Sequence, residues 1–442
     1  MVTQNTNVAV PPSTGIGAPG TEPAPASLAR SPMAAGQAPQ ASRIPFTRGS
    51  SLATMVDQTL TAMAAGIQQT VKLQTNAFLE ALILDVNIVG SNGGAATVKW
   101  QADGPFAVFG ATGIQLTDPA NQAIITPISG FRLAQLNKYL ADTECNFDPA
   151  RDAGFFMLPT AANNGTGSTA TNAGTANFRL VIPIELRRRD ALGALTNSAA
   201  NEAMNLILTP IASYAGGTDT AYNLFSTAPS AGVTVNVRIT QLYWTAPPQV
   251  IVTGGAQVPT AVTPAGIGTV GFIRSERHNE VSGGGTPPIQ LTSVGDIISC
   301  INWTLRTTTG TNTRDAYTAG SGLDAGYANW PNTFNFAVND FTTLAITQDV
   351  WIREMSRFYG LFNGISAVAG NPGYLDAGVF TFGSFLAGLF DEAANFSPAN
   401  QYLATEAGTK LQVRGSTFGA ASSFLEVDVR VIRPTTGDTL YA

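Results

Sequence analysis

The chain has 442 residues, enough for two or three domains with cores of their own, and only 12% of it is charged, about half the share usual for a soluble domain. Its net charge of −6 excludes a chain-wide cationic field for DNA, RNA or anionic lipid. A surface poor in charge and rich in Ala, Thr and Asn suits extensive subunit contact, because burying small neutral groups costs less than burying ions.

Residues 1–45 are rich in Pro, Ala, Gly and Ser with almost no bulky apolar residue. Such a segment cannot bury enough surface to offset its ordering entropy, so it reads as a disordered arm. The segment 46–72 follows, with "SSLATMVDQTLTAMAAGIQQTV". Leu52, Val56, Leu60, Met63 and Ile67 step by four, four, three and four, the stripe of an amphipathic helix over about 51–70 that Ser50 or Ser51 could cap. A helix of this kind must lay its stripe on its own domain, a neighbouring subunit or a lipid surface. No run of eighteen apolar residues occurs, and the N-terminus lacks the basic-then-apolar layout of a secretory signal.

From residue 71 onward short runs alternate with period two between Gly/Asn/Pro/Asp turns. In "FRLVIPIEL" one face carries Phe178, Leu180, Ile182, Ile184 and Leu186; in "VTVNVRITQLYW" it carries Val233, Val235, Val237 and Ile239; in "INWTLR", Ile301, Trp303 and Leu305. "DALGAL", 190–195, reads as a loop with a short helix. The halves echo each other: "VNVRI" at 235–239 returns as "VDVRV" at 427–431, and "ALILDVNIVG" near the head of one half matches "IISCINWTLR" in the other. These patterns give an all-β chain of two tandem β-sandwiches, 73–250 and 271–442, joined by a linker at 251–270.

Catalytic equipment is sparse. The single histidine, His278, would have to serve any relay, and in "RSERHNE" it reads as a solvated loop residue. Cys145 and Cys300 match no metal or redox spacing. "GIGTVG", 266–271, fits G-x-G-x-x-G but is followed by no helical pattern, so it reads as a hinge. Asp391–Glu392 and Glu276–Glu280 are the carboxylate pairs that a glycoside hydrolase would need. Arg187, Arg188 and Arg189 stand where a strand ends, flanked by Glu185 and Asp190. Their side chains diverge, which fits ion pairing within or between subunits; an anion site is the alternative. No catalytic residue, cofactor or metal site is expected.

A Gly/Thr/Asn-rich loop ("LPTAANNGTGSTATNAGTANF") leads into "FRLVIPIEL", then "NLILTP", a long loop and "VNVRITQLYW". This order resembles the first jelly roll of tectivirus-like major capsid proteins, the double jelly-roll lineage that includes adenovirus hexon. "FLEALILDVNIV", the "DPANQ" turn and Gly130-Phe131 resemble their opening strands. "IISCINWTLR", "FTTLAITQDVWIREMSRFYG" and "KLQVRGSTFGAASSFLEVDVRVIRP" resemble the second roll. The resemblance spans about residues 50–435 and rests on order and strand character, and the arm at 1–45 departs from it. It implies two eight-stranded rolls with an N-terminal helix, and a homotrimer filling a six-neighbour position in the icosahedral shell of a bacteriophage. It further implies contacts with neighbouring capsomers and with vertex and minor capsid proteins, a helix at the shell base over an internal membrane, no direct nucleic-acid binding, and assembly in the host cytoplasm. A trimeric receptor-binding spike is the rival reading, and a glycoside hydrolase using Asp391 and Glu392 a weaker one.

Overall fold

The computed structural model describes residues 43–433 apart from internal segments, among them 140–147, 160–166, 216–222, 280–287, 319–325, 360–378 and 383–402. The arm expected at 1–45 falls outside the described residues up to position 42.

Two sandwiches follow one another. In the first, the main strands are β1 (Leu52–Leu60), β2 (Gln69–Lys72), β3 (Phe78–Ser91), β4 (Phe109–Thr117), β5 (Ala123–Ile128), β6 (Ala176–Pro183), β7 (Asn205–Pro210) and β8 (Gly232–Trp244), with shorter two- and three-residue strands beside them. They form two sheets ordered β1-β8-β3-β6 and β2-β7-β4-β5. The second holds β9 (Val270–His278), β10 (Ile289–Leu291), β11 (Ile297–Thr307), β12 (Thr333–Val338), β13 (Phe341–Thr347), β14 (Val379–Phe382), β15 (Leu411–Gly415) and β16 (Ser423–Arg433). Its sheets run β9-β16-β11-β14 and β10-β15-β12-β13. Each of these main strands therefore has a counterpart eight places later with the same neighbours. The helices obey the same rule: α1 (Gly130–Tyr139) follows the β4–β5 hairpin, and α2 (Gln348–Tyr359) follows β12–β13. The sequence echoes fall on the central pairs, β3 with β8 and β11 with β16.

Period-two alternation fills both cores. Leu82, Leu84, Val86 and Ile88 of β3 meet Leu206 and Leu208 of β7 and Ile114 and Leu116 of β4 in one buried cluster. Phe106, in the single turn before β4, is fully buried and meets the Phe178 ring edge-on at 4.7 Å. In the second core Trp303 of β11 lies 5.9 Å from Trp351 of α2. The two bodies share a sheet, because β5 pairs in parallel with β9 at Ile125 and Ile273.

Four local expectations are corrected. The stretch expected as a helix at 51–70 forms no helix: its first half is β1, which pairs antiparallel with β8 from Leu52↔Trp244 to Leu60↔Val237. A spacing of four satisfies period two as well as period 3.6, so Leu52, Val56 and Leu60 could not discriminate the two; the unpaired edge of β8 decides. A bulge at Asp57 then turns Leu60 toward the core, while Leu52 and Val56 stay exposed. "DALGAL" forms no helix. Ala191 and Gly193 adopt left-handed φ of 56° and 85°, and Leu186 N–H donates to Leu192 O at 2.7 Å, closing a tight turn. His278 lies buried at the end of strand β9, its Nε2 3.1 Å from Glu276 Oε2, and not in a solvated loop. The linker is not featureless either: Val250–Thr253 and Ala256–Pro259 form a hairpin.

Replacing Phe106 with Ala removes a fully buried ring from between the sheets and is expected to cost about 3–5 kcal/mol of stability in denaturant unfolding. A loss under about 1 kcal/mol would mean that this position is not packed as described.

Candidate functional site

The site is the joint between the sandwiches, and β16 builds it. In "SFLEVDVRVIR" the residues Leu425, Val427, Val429 and Val431 point into the second core, and the intervening Glu426, Asp428 and Arg430 occupy the opposite face. That face is buried too, since the first sandwich covers it. Charges removed from water in this way must be paired. Arg132 of α1 supplies the main partner: its Nε and Nη2 each donate to Asp428 at 2.6 Å, and Nη2 also reaches Val427 O at 3.0 Å. Ser275 Oγ of β9 donates to the same carboxylate at 2.6 Å. Beside this pair, Arg306 of β11 lies 2.7 Å from both Asp103 and Glu426, and Arg314 Nε donates to Asp103 at 2.8 Å. The Phe131 ring of α1 lies under both guanidiniums, with centroid distances of 5.4 Å to Arg306 and 4.2 Å to Arg314. The guanidiniums of Arg132, Arg306 and Arg314 thus meet the carboxylates of Asp428, Glu426 and Asp103 at the joint. Burial pushes the Asp428 carboxyl above the usual carboxylate range, against the pull of Arg132 and Ser275, and Glu426 adds to the rise.

Helix α1 is buried along its whole length. Ser129 Oγ accepts the Arg132 N–H at 3.1 Å at its first turn. Asn137 serves as a strand substitute: its Oδ1 accepts Val181 N–H at 2.9 Å and its Nδ2 donates to Val181 O at 2.6 Å, satisfying the open side of β6.

The matching face of the first sandwich is exposed. There Asp85 of β3 takes 2.7 Å hydrogen bonds from Arg179 of β6 and Arg238 of β8. Partial burial raises the Asp85 carboxyl, but these two donors outweigh it and hold it below its ordinary value. One step along the strands, Asn87 donates to Asn177 at 2.5 Å and accepts from Asn236 at 3.1 Å.

The residues singled out from the sequence do not gather in one place. Leu52, Val56 and Ile67 are exposed, Leu60 is partly buried, and Met63 is buried with its carbonyl accepting Tyr214 O–H at 2.9 Å. Burial pushes the Tyr214 hydroxyl up to about 12. Arg187 binds Asp190, Arg188 binds the buried Glu80, and the Arg189 carbonyl accepts from Thr47 Oγ1 at 3.3 Å. The three arginines hold three different partners. Cys300 is buried in β11, whereas Cys145, Glu280, Asp391 and Glu392 lie outside the described residues. Among the described residues no three His, Cys, Asp or Glu are grouped to hold a metal, and no helix is long and apolar enough to cross a membrane. Sequence reasoning passed over the joint. Its signal was the E-x-D-x-R alternation on a strand whose other face is wholly apolar.

No family model matches the chain, and no curated protein matches it in sequence. Solved structures do resemble it. The STIV MCP crystal structure is 14% identical with a TM-score of 0.55, covering 89% of this chain and 99% of that one. The atomic structure of Sulfolobus turreted icosahedral virus gives 14% and 0.52, covering 86% and 90%. The PBCV-1 virus capsid gives 9% and 0.51, covering 87% and 93%. The fold is the double jelly roll. Both rolls are included, because nearly the full length of each compared chain is matched.

Arg132→Met leaves the Asp428 carboxylate buried beside Glu426 without its main partner. The expected loss is about 3–5 kcal/mol at neutral pH. An acid whose folded pKa is raised is penalised above that pKa and relieved below it, so the loss should shrink as the pH falls. Urea unfolding across pH reads both; a loss that grows on acidification would contradict this assignment.

Proposed function

We propose that the chain is the major capsid protein of an icosahedral virus, with a structural role and no catalytic one. The observation that carries the reading is the near end-to-end likeness to shell proteins built as one block of two rolls. The internal repeat explains how such a block would serve. Two equivalent rolls per chain make a threefold cluster present six similar lobes, so a trimer can fill a lattice site with six neighbours. Closed threefold symmetry uses each interface without open-ended growth. Neighbouring capsomers are the first partners, with vertex and minor capsid proteins beyond them, and assembly takes place in the host cytoplasm. Contact with an internal membrane was expected through a helix at 51–70; that segment forms no helix, its first half being strand β1, so membrane contact needs another carrier. The net charge of −6 fits a shell that leaves the genome untouched.

The test is light scattering and negative-stain microscopy of the purified protein. Trimers with a six-lobed outline are expected. A chain that stays monomeric at micromolar concentration, or a two-lobed particle only, would overturn the reading.

A further inference from the structure

The bulge in β1 adjoins a buried polar cluster in the first roll. Asp57, the residue at the bulge, is clamped by Gln74: its Oδ1 accepts the Gln74 N–H at 2.9 Å, and its carbonyl accepts from Gln74 Nε2 at 2.9 Å. The Gln74 carbonyl in turn accepts from Asn197 Nδ2 at 2.9 Å and from Gln241 Nε2 at 3.0 Å. Asn76 Nδ2 donates to Gln241 Oε1, and the Asn76 N–H donates to the Asn197 carbonyl at 2.7 Å. Asn197 is 2% exposed, and Gln241 is fully buried in the row of β8 that also carries Val235, Val237 and Ile239.

These bonds fix the orientation of every amide. Asn197 and Gln241 must both present nitrogen to the Gln74 carbonyl, since turning either would set oxygen against oxygen. Gln241 then offers oxygen to Asn76, which must answer with nitrogen. Three oxygens are left over: Oδ2 of Asp57, Oδ1 of Asn76 and Oδ1 of Asn197, each buried and accepting no hydrogen bond. All three are acceptors, one belongs to a carboxylate, and among the described residues no Lys or Arg pairs with Asp57. A water molecule has only two hydrogens to give, whereas a cation can serve every oxygen at once. Carboxylate and amide oxygens, without nitrogen or sulfur, are the donor set of calcium.

We propose that Asp57, Asn76 and Asn197 are ligands of a calcium site, with water supplying the rest of the roughly six to eight oxygens that calcium takes. The site does not depend on the capsid reading. It ties the edge strand β1, whose one ladder partner among the described residues is β8, to the loop at 73–77 and to Asn197 far along the chain. A single carboxylate puts its affinity in the weak range of calcium sites, about 10⁻⁴–10⁻³ M.

The test is the thermal midpoint of the full chain in about 10 mM CaCl2 against the same chain in EDTA at matched ionic strength, read as the increment that calcium adds. The parent chain should gain about 2–4 °C. Magnesium at the same concentration should add clearly less, because it demands a tighter octahedral shell. Asp57→Asn, nearly isosteric and uncharged, and Asn197→Ala should each lose the increment, whatever their midpoint in EDTA. Isothermal titration calorimetry should show calcium bound at least about tenfold more weakly by Asp57→Asn. Near-ultraviolet circular dichroism checks that each variant folds, and Asn197→Ala decides if Asp57→Asn does not. A parent chain that gains nothing from calcium, gains as much from magnesium, or keeps its increment in either folded variant would overturn the site. The capsid reading would stand in each of those cases.

Discussion

The buried ionic layer between the rolls is the constraint on which the rest of the molecule depends. Ion pairs of this depth contribute little net stability, because desolvation consumes most of the attraction. What they provide is register. Along β16 the charges run minus, minus, plus at alternate positions, facing Arg306, Arg132 and the Glu185 carbonyl, to which Arg430 donates at 3.3 Å. Sliding that strand by one repeat of two residues would set Arg430 against Arg132. Apolar faces of similar size would tolerate such a slip; this one does not. A double-roll block therefore has one relative arrangement of its halves.

Pseudo-symmetry ties the joint to everything outside it. The rolls repeat strand for strand, but their equivalent faces have different fates. In the second roll the face is covered and carries full charges paired across the joint. In the first it is open, and carries an asparagine row beside a shared Asp–Arg cluster that remains satisfied in water. A duplicated fold has thus been differentiated at the few positions where one copy is buried and the other is not.

Much of the fold was legible in the sequence, because period-two alternation is a direct imprint of a sandwich whose one face is core. Val235, Val237 and Ile239, and likewise Ile301, Trp303 and Leu305, are where alternation puts them. Failures came where a pattern served two geometries or none. The spacing of Leu52, Val56 and Leu60 suits helix and strand alike, and only a partner strand far along the chain resolves it. Helix α1 shows no apolar stripe because it is buried all round, with Arg132, Asn137 and Lys138 satisfied by tertiary partners that the local sequence does not reveal. The joint stayed hidden for the same reason. A charged residue on a strand reads as solvent-facing until the body that covers it is known.

The most direct measurement is hydrogen exchange across a denaturant series, following the central strands β8 and β16 separately. If the ionic layer makes one block of the two rolls, the amides of both strands should lose protection together, at the same denaturant concentration. Loss in one roll while the other stays protected would mean two bodies merely tethered, and the building-block account would fail.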